Sequence, residues 1–193
     1  MSPRPQVYCD ESSRKRCEGC STTHQCRSVR LPGGWSLNHY GGKEGFFGWL
    51  ALQTVQHRCS LRDLLGVESK ALGHNLRRLE KGIYSYWKKR RRQVDRVYVM
   101  YFLEGQLERR RGHEWHLHIH LVPRFHDLKP LMLKRHKREV DAYRIAKLYR
   151  GLPAFLDRRT FKNLHGKDRR AKEELRIVRG VRREAGFPSG SDV

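Results

Sequence analysis

The feature that most constrains the fold is a run of three histidines that alternate with apolar residues, His116-Leu-His118-Ile-His120-Leu-Val122. In a β-strand, side chains two residues apart point to the same face. The run would therefore place three imidazoles on one face and three aliphatic side chains on the other. Such a strand fits a sheet that packs one face on a core and keeps the other for polar groups.

A helix and further strands are predicted around this run. From Glu68 onward, apolar residues recur at the spacing of one helical stripe, which comprises Leu72, Leu76, Leu79, Ile83 and Trp87. Runs rich in β-branched and aromatic residues predict strands at Trp35–Leu37, Phe46–Val55, Val94–Leu103 and Trp115–Val122, the last closed by Pro123. Short turns favour antiparallel pairing, so the sequence predicts an α+β fold in which one helix covers an antiparallel sheet.

The chain of 193 residues is expected to hold one main domain with two additions. Residues 1–30 are polar, rich in cysteine and without periodicity, which predicts a loop or a metal knuckle. Residues 31–126 would form the domain itself. Residues 127–193 would form a basic, partly helical extension, with helices around Val140–Tyr149 and Lys172–Glu184 and a disordered tail from Gly186.

The charge of the chain points to polyanions as partners. Lys and Arg number 42 against 20 Asp and Glu, and the formal net charge is +22. The positive charge gathers in Lys88–Arg92, in Arg109–Arg111 and in residues 124–193, which carry 20 basic and 9 acidic side chains. Phosphate-bearing ligands or nucleic acid are the expected partners. Because the sequence shows neither a membrane span nor a secretory signal, a cytoplasmic protein without membrane contact is expected.

Cysteines concentrate near the N-terminus, where four of the five occur, at positions 9, 17, 20 and 26. In a reducing compartment, the Cys17-Glu-Gly-Cys20 pair predicts a metal clip rather than a disulfide. Cys9, Cys26 and His24 are alternative ligands, so a knuckle built from cysteines alone is a second hypothesis.

A row of imidazoles suits phosphate chemistry in two ways. A neutral imidazole can attack phosphorus while neighbouring rings donate hydrogen bonds to oxygens that gain charge. Alternatively, the row can hold a divalent metal.

The histidine run followed by Pro123-Arg124 resembles the histidine triad (HIT) superfamily of nucleotide hydrolases and transferases. The resemblance extends over about residues 17–126 and includes Trp35-x-Leu37, Gly48-Trp-Leu-Ala-Leu52 and His57-Arg-Cys-Ser-Leu61-Arg-Asp-Leu64. It implies a HIT-like antiparallel sheet and an enzyme that acts at an α-phosphate through a nucleotidyl-histidine intermediate. Members of the superfamily commonly form homodimers.

The resemblance also implies a role for individual residues. His118 would be the nucleophile, His120 would line the phosphate pocket beside it, and His116 would complete the catalytic triad. Asn38 would bind the nucleotide at the ribose. The zinc-binding members place ligands at positions matching Cys17, Cys20, His57 and His116, which would form a closed, structural zinc site.

The sequence departs from the HIT pattern at three places. Trp49 stands where many members have histidine, and Leu103 lies in the region where a polar Asn is common. Gly112–Trp115 lacks the Ser or Gln that assists the leaving group. These departures bear on rate and substrate rather than on the nucleophile.

Two other hypotheses come from the same residues. His118-Ile-His120 resembles the metal-binding pair of HUH endonucleases, and Tyr143-Arg-Ile-Ala-Lys147 resembles their nucleophile helix, which would make the protein a metal-dependent DNA-nicking enzyme. The basic clusters alone would suit a non-catalytic protein that binds nucleic acid.

Overall fold

The computed structural model describes Cys17 and residues 28–40, 48–101, 116–126 and 167–188, with side chains in the last range from residue 171 onward. The described elements are the strands β1 (Ser28–Leu31), β2 (Trp35–His39), β3 (Leu50–Thr54), β4 (Val94–Tyr101) and β5 (His118–Phe125), the helices α1 (Gly66–Lys88) and α2 (Lys167–Glu184), and a short 3-10 helix at Leu61–Asp63. The predicted helix at 140–149 lies outside the described residues.

The five strands form one antiparallel sheet in the order β1-β2-β3-β5-β4. The strand with the histidine run therefore lies inside the sheet, between β3 and β4. With the helices, this arrangement confirms the predicted α+β class.

The register of the sheet brings polar residues from three strands to one face. Asn38 on β2 pairs with Ala51 on β3, and Ala51 pairs with His120 on β5. One step along, Gln53 on β3 pairs with His118. Because paired residues point to the same side of a sheet, we call this side the histidine face.

The opposite side, which we call the helix face, packs against both described helices. On α1 the core side chains include Leu79, Ile83 and Trp87, as the helical stripe predicted, and Tyr86, which the stripe did not include. From α2 the core gains Ile177, Val178 and Val181. The helices approach closely at glycines. A Cβ on Gly82 would lie 2.6 Å from the carbonyl oxygen of Val181, and one on Gly180 would overlap the ring of Tyr86.

The prediction of one covering helix is therefore incomplete. The predicted helix at Lys172–Glu184 forms as part of α2, but it also completes the cover of the sheet. The sequence placed this helix in a basic extension because its charged residues outnumber its apolar ones. The three apolar side chains on one of its sides are enough to dock it on the core.

Several strand limits were predicted wrongly. β3 begins at Leu50 rather than Phe46, and β5 begins at His118 rather than Trp115. His116 therefore precedes the strand, because the amide of Leu117 donates to the carbonyl of Arg58 in a loop. Residues 1–30 were expected to lack regular structure, but Ser28–Leu31 forms β1 and buries Val29 and Leu31. A strand of four residues is too short for alternation to stand out in a sequence.

Pro123 does not close β5, which continues to Phe125 and pairs Pro123 with Val97. The pairing of β5 with β3 ends at Leu121, so among the described strands only β4 pairs with β5 at Pro123. The missing N–H of proline therefore interrupts no central ladder.

No helix in the described parts of the chain combines the length and the apolar character that crossing a membrane requires.

Candidate metal centre and histidine pair

Three of the predicted metal ligands meet at one place in the fold. Cys17, His57 and His116 each offer a ligand atom, and these atoms all lie within 4.8 Å of one another. All three residues are buried, with exposed fractions of 1%, 7% and 4%. This group, the Cys/His cluster, could bind a metal ion. The fourth predicted ligand, Cys20, lies outside the described residues.

The orientation of His116 is set by the neighbouring strand. Its Nε2 donates a hydrogen bond of 2.7 Å to the backbone carbonyl of Thr54, the last residue of β3. Since a carbonyl can only accept, the hydrogen of the neutral ring must lie on Nε2. The lone pair is then on Nδ1, which lies 3.6 Å from the sulfur of Cys17. A backbone carbonyl that orients a ligating histidine in this way is a usual feature of metal sites.

His57 lies in the loop after β3, and the start of α1 holds that loop in place. The ring of His57 is 5.1 Å from that of His116 between centroids. The next residue, Arg58, forms a buried salt bridge of 2.9 Å with Glu68, and its carbonyl accepts a 2.6 Å hydrogen bond from the amide of Leu117. These two contacts fix the loop both to α1 and to the residue that follows His116.

Cys59 is a neighbour of the cluster that the sequence analysis missed. Its sulfur lies 3.4 Å from Nε2 of His57. Burial lowers the pKa of His57, but hydrogen bonds and electrostatic attraction to Cys17 and Cys59 outweigh that effect and raise the pKa to about 9. The spacing His57-Arg-Cys59 was the available signal, because it places a second soft donor two residues from a predicted ligand.

Two further histidines of the run, His118 and His120, form what we call the histidine pair. Their rings are perpendicular, with centroids 4.6 Å apart. Nδ1 of His118 donates a 2.8 Å hydrogen bond to the backbone carbonyl of His116. In the neutral ring of His118 the lone pair is therefore on Nε2. His118 is half-buried, whereas His120 is buried.

Trp49 determines which ring nitrogen of His120 carries the hydrogen, and this nitrogen is the opposite one from that in His118. The indole Nε1 of Trp49 donates a 3.0 Å hydrogen bond to Nδ1 of His120, so the hydrogen of the neutral ring lies on Nε2. Tyr40 stacks on Trp49 at 4.7 Å and meets the ring of His120 edge-on at 4.9 Å. The residue that departs from the HIT pattern at position 49 thus fixes the tautomer of His120. The departures at Leu103 and at Gly112–Trp115 lie outside the described residues.

Polar side chains from β2 and β3 extend the histidine face beside this pair. Asn38 is 6% exposed, and neither atom of its amide group has a hydrogen-bond partner among the described residues. Ala51, a small residue, separates it from His120 in the same row of the sheet. A buried amide without partners is costly, and binding a ligand is one established reason to keep one.

Gln53 is a second residue that the sequence analysis missed. It is 5% exposed and pairs directly with His118 across the sheet. Its signal was weak, because one polar residue near the end of a predicted strand is common.

Arg124, by contrast, contacts its own end of the sheet. It donates a hydrogen bond of 3.1 Å to the hydroxyl of Tyr98 and lies 3.8 Å from a carboxylate oxygen of Asp95.

The residues of the two alternative hypotheses are only partly described. Tyr143, Lys147 and Arg109–Arg111 lie outside the described residues. Lys88–Arg92 follows the end of α1, and its first four residues are exposed.

Comparisons with protein-family models, with curated proteins and with solved structures found no match. The fold and the site themselves define the class. This is an α+β protein in which one face of a five-stranded antiparallel sheet carries a pair of oriented histidines, and a buried Cys/His cluster lies where the chain enters β5.

Proposed function

We propose that this protein is a HIT-type enzyme, a hydrolase or nucleotidyl transferase that acts at the α-phosphate of a nucleotide. The observation that carries the proposal is the opposite placement of hydrogens on His118 and His120. One neutral ring has its lone pair on Nε2, and the neighbouring ring has its hydrogen there. A nucleophile beside a hydrogen-bond donor is the combination that attack on a phosphate requires.

In the first step, Nε2 of His118 attacks the α-phosphorus and forms an N–P bond. The bond from phosphorus to the leaving group breaks, and the leaving group departs with the electron pair and takes up a proton. The imidazole ring becomes positively charged, and the hydrogen bond from Nδ1 to the carbonyl of His116 stabilises that charge. In the second step, water breaks the N–P bond, releases the nucleotide and restores His118.

The neighbouring residues have supporting roles in this scheme. Nε2–H of His120 donates to a phosphate oxygen while Trp49 holds the ring. Gln53, which pairs with His118 across the sheet, would donate its amide hydrogens to the leaving group, in place of the Ser or Gln that residues 112–115 lack. The amide of Asn38, which has no hydrogen-bond partner in the described parts of the chain, would hydrogen-bond the ribose hydroxyls.

Zinc is the metal we propose for the Cys/His cluster. The donor set of one thiolate and two imidazoles fits zinc, and the oriented Nδ1 of His116 fits a ligand role. Cys20 would complete a closed tetrahedral site, and Cys59 is the described alternative as the fourth donor. When bound, zinc supplies a structural link from Cys17 to β3 and β5. The chemistry on phosphorus stays with the histidine pair.

The arrangement of hydrogens also argues against the HUH hypothesis. A divalent metal between His118 and His120 would need a lone pair on the facing nitrogen of each ring. Because Trp49 donates to Nδ1 of His120, Nε2 of that ring carries hydrogen in the neutral form. The two rings therefore suit a nucleophile and a donor better than a metal-binding pair.

The proposed intermediate can be trapped directly. The full chain would be incubated with adenosine 5′-phosphoramidate, quenched during turnover, digested and analysed by mass spectrometry. We expect an adenylyl adduct on the peptide that contains His118. The adduct should be present in His74→Asn, a matched change of an exposed histidine on α1, and absent in His118→Asn. Turnover that persists in His118→Asn without an adduct would refute the mechanism.

A further inference from the structure

The exposed side of α2 carries a regular row of positive side chains, namely Lys172, Arg176, Arg179 and Arg183. Their spacings of four, three and four residues place them on one stripe of the helix. The other side of α2 is buried through Ile177, Val178 and Val181. The docking of the helix therefore fixes which way the basic stripe faces.

Two of the three carboxylates described on α2 contact residues outside this helix. Glu174 is buried and lies 3.8 Å from His39 on β2. Glu184 forms a 2.7 Å salt bridge with Lys89, just after α1. Glu173 pairs with the stripe at 2.7 Å from Arg176, and Glu184 also lies 4.0 Å from Arg183. On the described part of α2, the four basic groups of the stripe thus outnumber these two carboxylates.

Arg90 joins the stripe to the basic end of α1. Its guanidinium group lies 3.6 Å above the ring of Tyr86, which holds the charge in a defined position. Burial raises the pKa of the Tyr86 hydroxyl, while Arg90, Arg176 and Arg183 each act to lower it. Arginines from both helices are therefore within electrostatic reach of one hydroxyl. We call Arg90 and the α2 stripe together the basic face.

We propose that the basic face binds a nucleic-acid strand through its phosphates. Arginine guanidinium groups match phosphate oxygens in bidentate geometry, and three of the four stripe residues are arginine. From Lys172 to Arg183 the helix rises roughly 16 Å. That length corresponds to about five base steps of a duplex, so the stripe can follow several successive phosphates.

The surface is less suited to a membrane of acidic lipids. A helix that binds a bilayer surface inserts an exposed apolar side between the headgroups. The apolar side of α2 packs in the core instead. The exposed large apolar residues of the described chain are Leu61, Leu65, Val67 and Val99, and none of these lies on α2.

The position of the basic face separates it from the histidine pair. Both helices cover the helix face of the sheet, whereas His118 and His120 lie on the histidine face. A strand bound to α2 would leave the histidine pair uncovered. The proposal therefore does not depend on the proposed enzymatic function.

The test is binding of the full chain to a labelled 20-nucleotide single-stranded RNA and to a DNA duplex of equal length, followed by fluorescence anisotropy at several salt concentrations. The variant Arg176→Gln/Arg179→Gln/Arg183→Gln keeps good helix formers in α2. We expect its affinity to fall at least about tenfold at low salt. The slope of log affinity against log salt concentration should decrease by about one for each arginine removed. The single variant Arg179→Gln should show a smaller loss in the same direction.

A matched control removes the same charge from other exposed positions, in the variant Arg62→Gln/Lys70→Gln/Arg96→Gln. It should weaken binding by less than about twofold, since long-range charge is screened by salt. In the opposite direction, Glu173→Gln removes the carboxylate that pairs with Arg176 and should tighten binding by about twofold.

Three results would overturn the proposal. The stripe variant could bind as tightly as the parent chain, or the control variant could lose as much affinity as the stripe variant. In the third, the parent chain would bind vesicles of 30% phosphatidylserine through the stripe but neither nucleic acid. Turnover of adenosine 5′-phosphoramidate should be equal in all variants, which keeps this test distinct from that of the histidine pair.

Discussion

His116 and His118 lie two residues apart in the chain, yet their rings have different hydrogen-bond partners and opposite tautomers. His116 donates from Nε2 to the carbonyl of Thr54 on the neighbouring strand and presents Nδ1 to Cys17. His118 donates from Nδ1 to the carbonyl of His116 itself and has its lone pair on Nε2. Both residues are histidines close together in the chain, but the carbonyl groups that accept their hydrogen bonds are different.

The tautomer of each histidine is thus set by the hydrogen-bond partner that its ring meets. The first ring reaches across to the end of β3, where the Cys/His cluster is buried. The second ring bonds to the carbonyl of His116, just before its own strand, and is half-buried. The third ring, His120, meets a donor rather than an acceptor, because Trp49 supplies an N–H.

Exchanging each of the two histidines for asparagine should give the largest effects and opposite patterns. His118→Asn should lower turnover of adenosine 5′-phosphoramidate at least about 10³-fold, because asparagine offers no nucleophilic nitrogen. Its zinc content and melting temperature should stay near those of the parent chain. His116→Asn should lose zinc and stability, since it removes a ligand of the Cys/His cluster.

The stability loss in His116→Asn is set by mass action. If the metal is present at 1,000 times its dissociation constant, its loss removes about 4 kcal/mol from the free energy of unfolding. Metal analysis and thermal unfolding with and without chelator measure this. Equal zinc content in parent and His116→Asn would contradict the assignment of His116 as a ligand.

Trp49→Phe tests the hydrogen bond to the third histidine, His120, and should have an intermediate effect on turnover. The change keeps an aromatic ring beside Tyr40 but removes the N–H that holds His120. One hydrogen bond is worth about 1 kcal/mol, so we expect turnover to fall about fivefold to tenfold without loss of zinc. The matched control is Trp87→Phe, because the indole N–H of Trp87 has no hydrogen-bond partner among the described residues. A similar loss of turnover in both variants would mean that packing, rather than the hydrogen bond, is responsible.

The smallest expected effect is on how the stability of the metal-free protein depends on pH. The pKa of His57 is raised to about 9, from an ordinary value of 6.5. A raised pKa in the folded state stabilises the fold fully below about 6.5, and this contribution disappears as pH rises through about 9. Between pH 6.5 and about 9 the metal-free parent chain should therefore lose more stability than metal-free Cys59→Ser. The variant lacks one of the groups that raise the pKa of His57.

Denaturant unfolding of metal-free protein at pH 6, 7.5 and 9.5 measures this contribution. Loading with zinc should flatten the profile, because metal binding requires the neutral ring of His57. An equal pH dependence of stability in the parent chain and Cys59→Ser would show that Cys59 does not raise the pKa of His57.

Regular elements were predictable from the sequence where a pattern is long. The stripe from Leu72 to Trp87 predicted α1, and the alternation from Trp115 to Val122 predicted β5. The short strand β1 gave no such pattern. The docking of α2 was missed because it depends on Gly82 and Gly180, whose lack of a side chain has meaning only when two helices meet.

The site was predictable as a list of residues rather than as an arrangement. The resemblance to the HIT superfamily implied that His57 and His116 belong together with Cys17, and the structure brings these three together. The tautomers depend on partners such as Thr54 and Trp49, which lie far away in the chain. A sequence holds no direct sign of such partners, so the roles of Trp49, Gln53 and Cys59 required the fold.

The close approach of α1 and α2, at Gly82 against Val181 and at Gly180 against Tyr86, also has a consequence for the order of folding. The two helices come from separate halves of the chain, so their docking closes a long loop and carries a large loss of chain entropy. Local contacts such as the β1–β2 and β2–β3 pairings close far shorter loops. The sheet and α1 should therefore assemble before α2 arrives. During synthesis or refolding, the apolar side of α1 around Gly82 would be exposed for a time, which makes this the surface most in need of protection from aggregation.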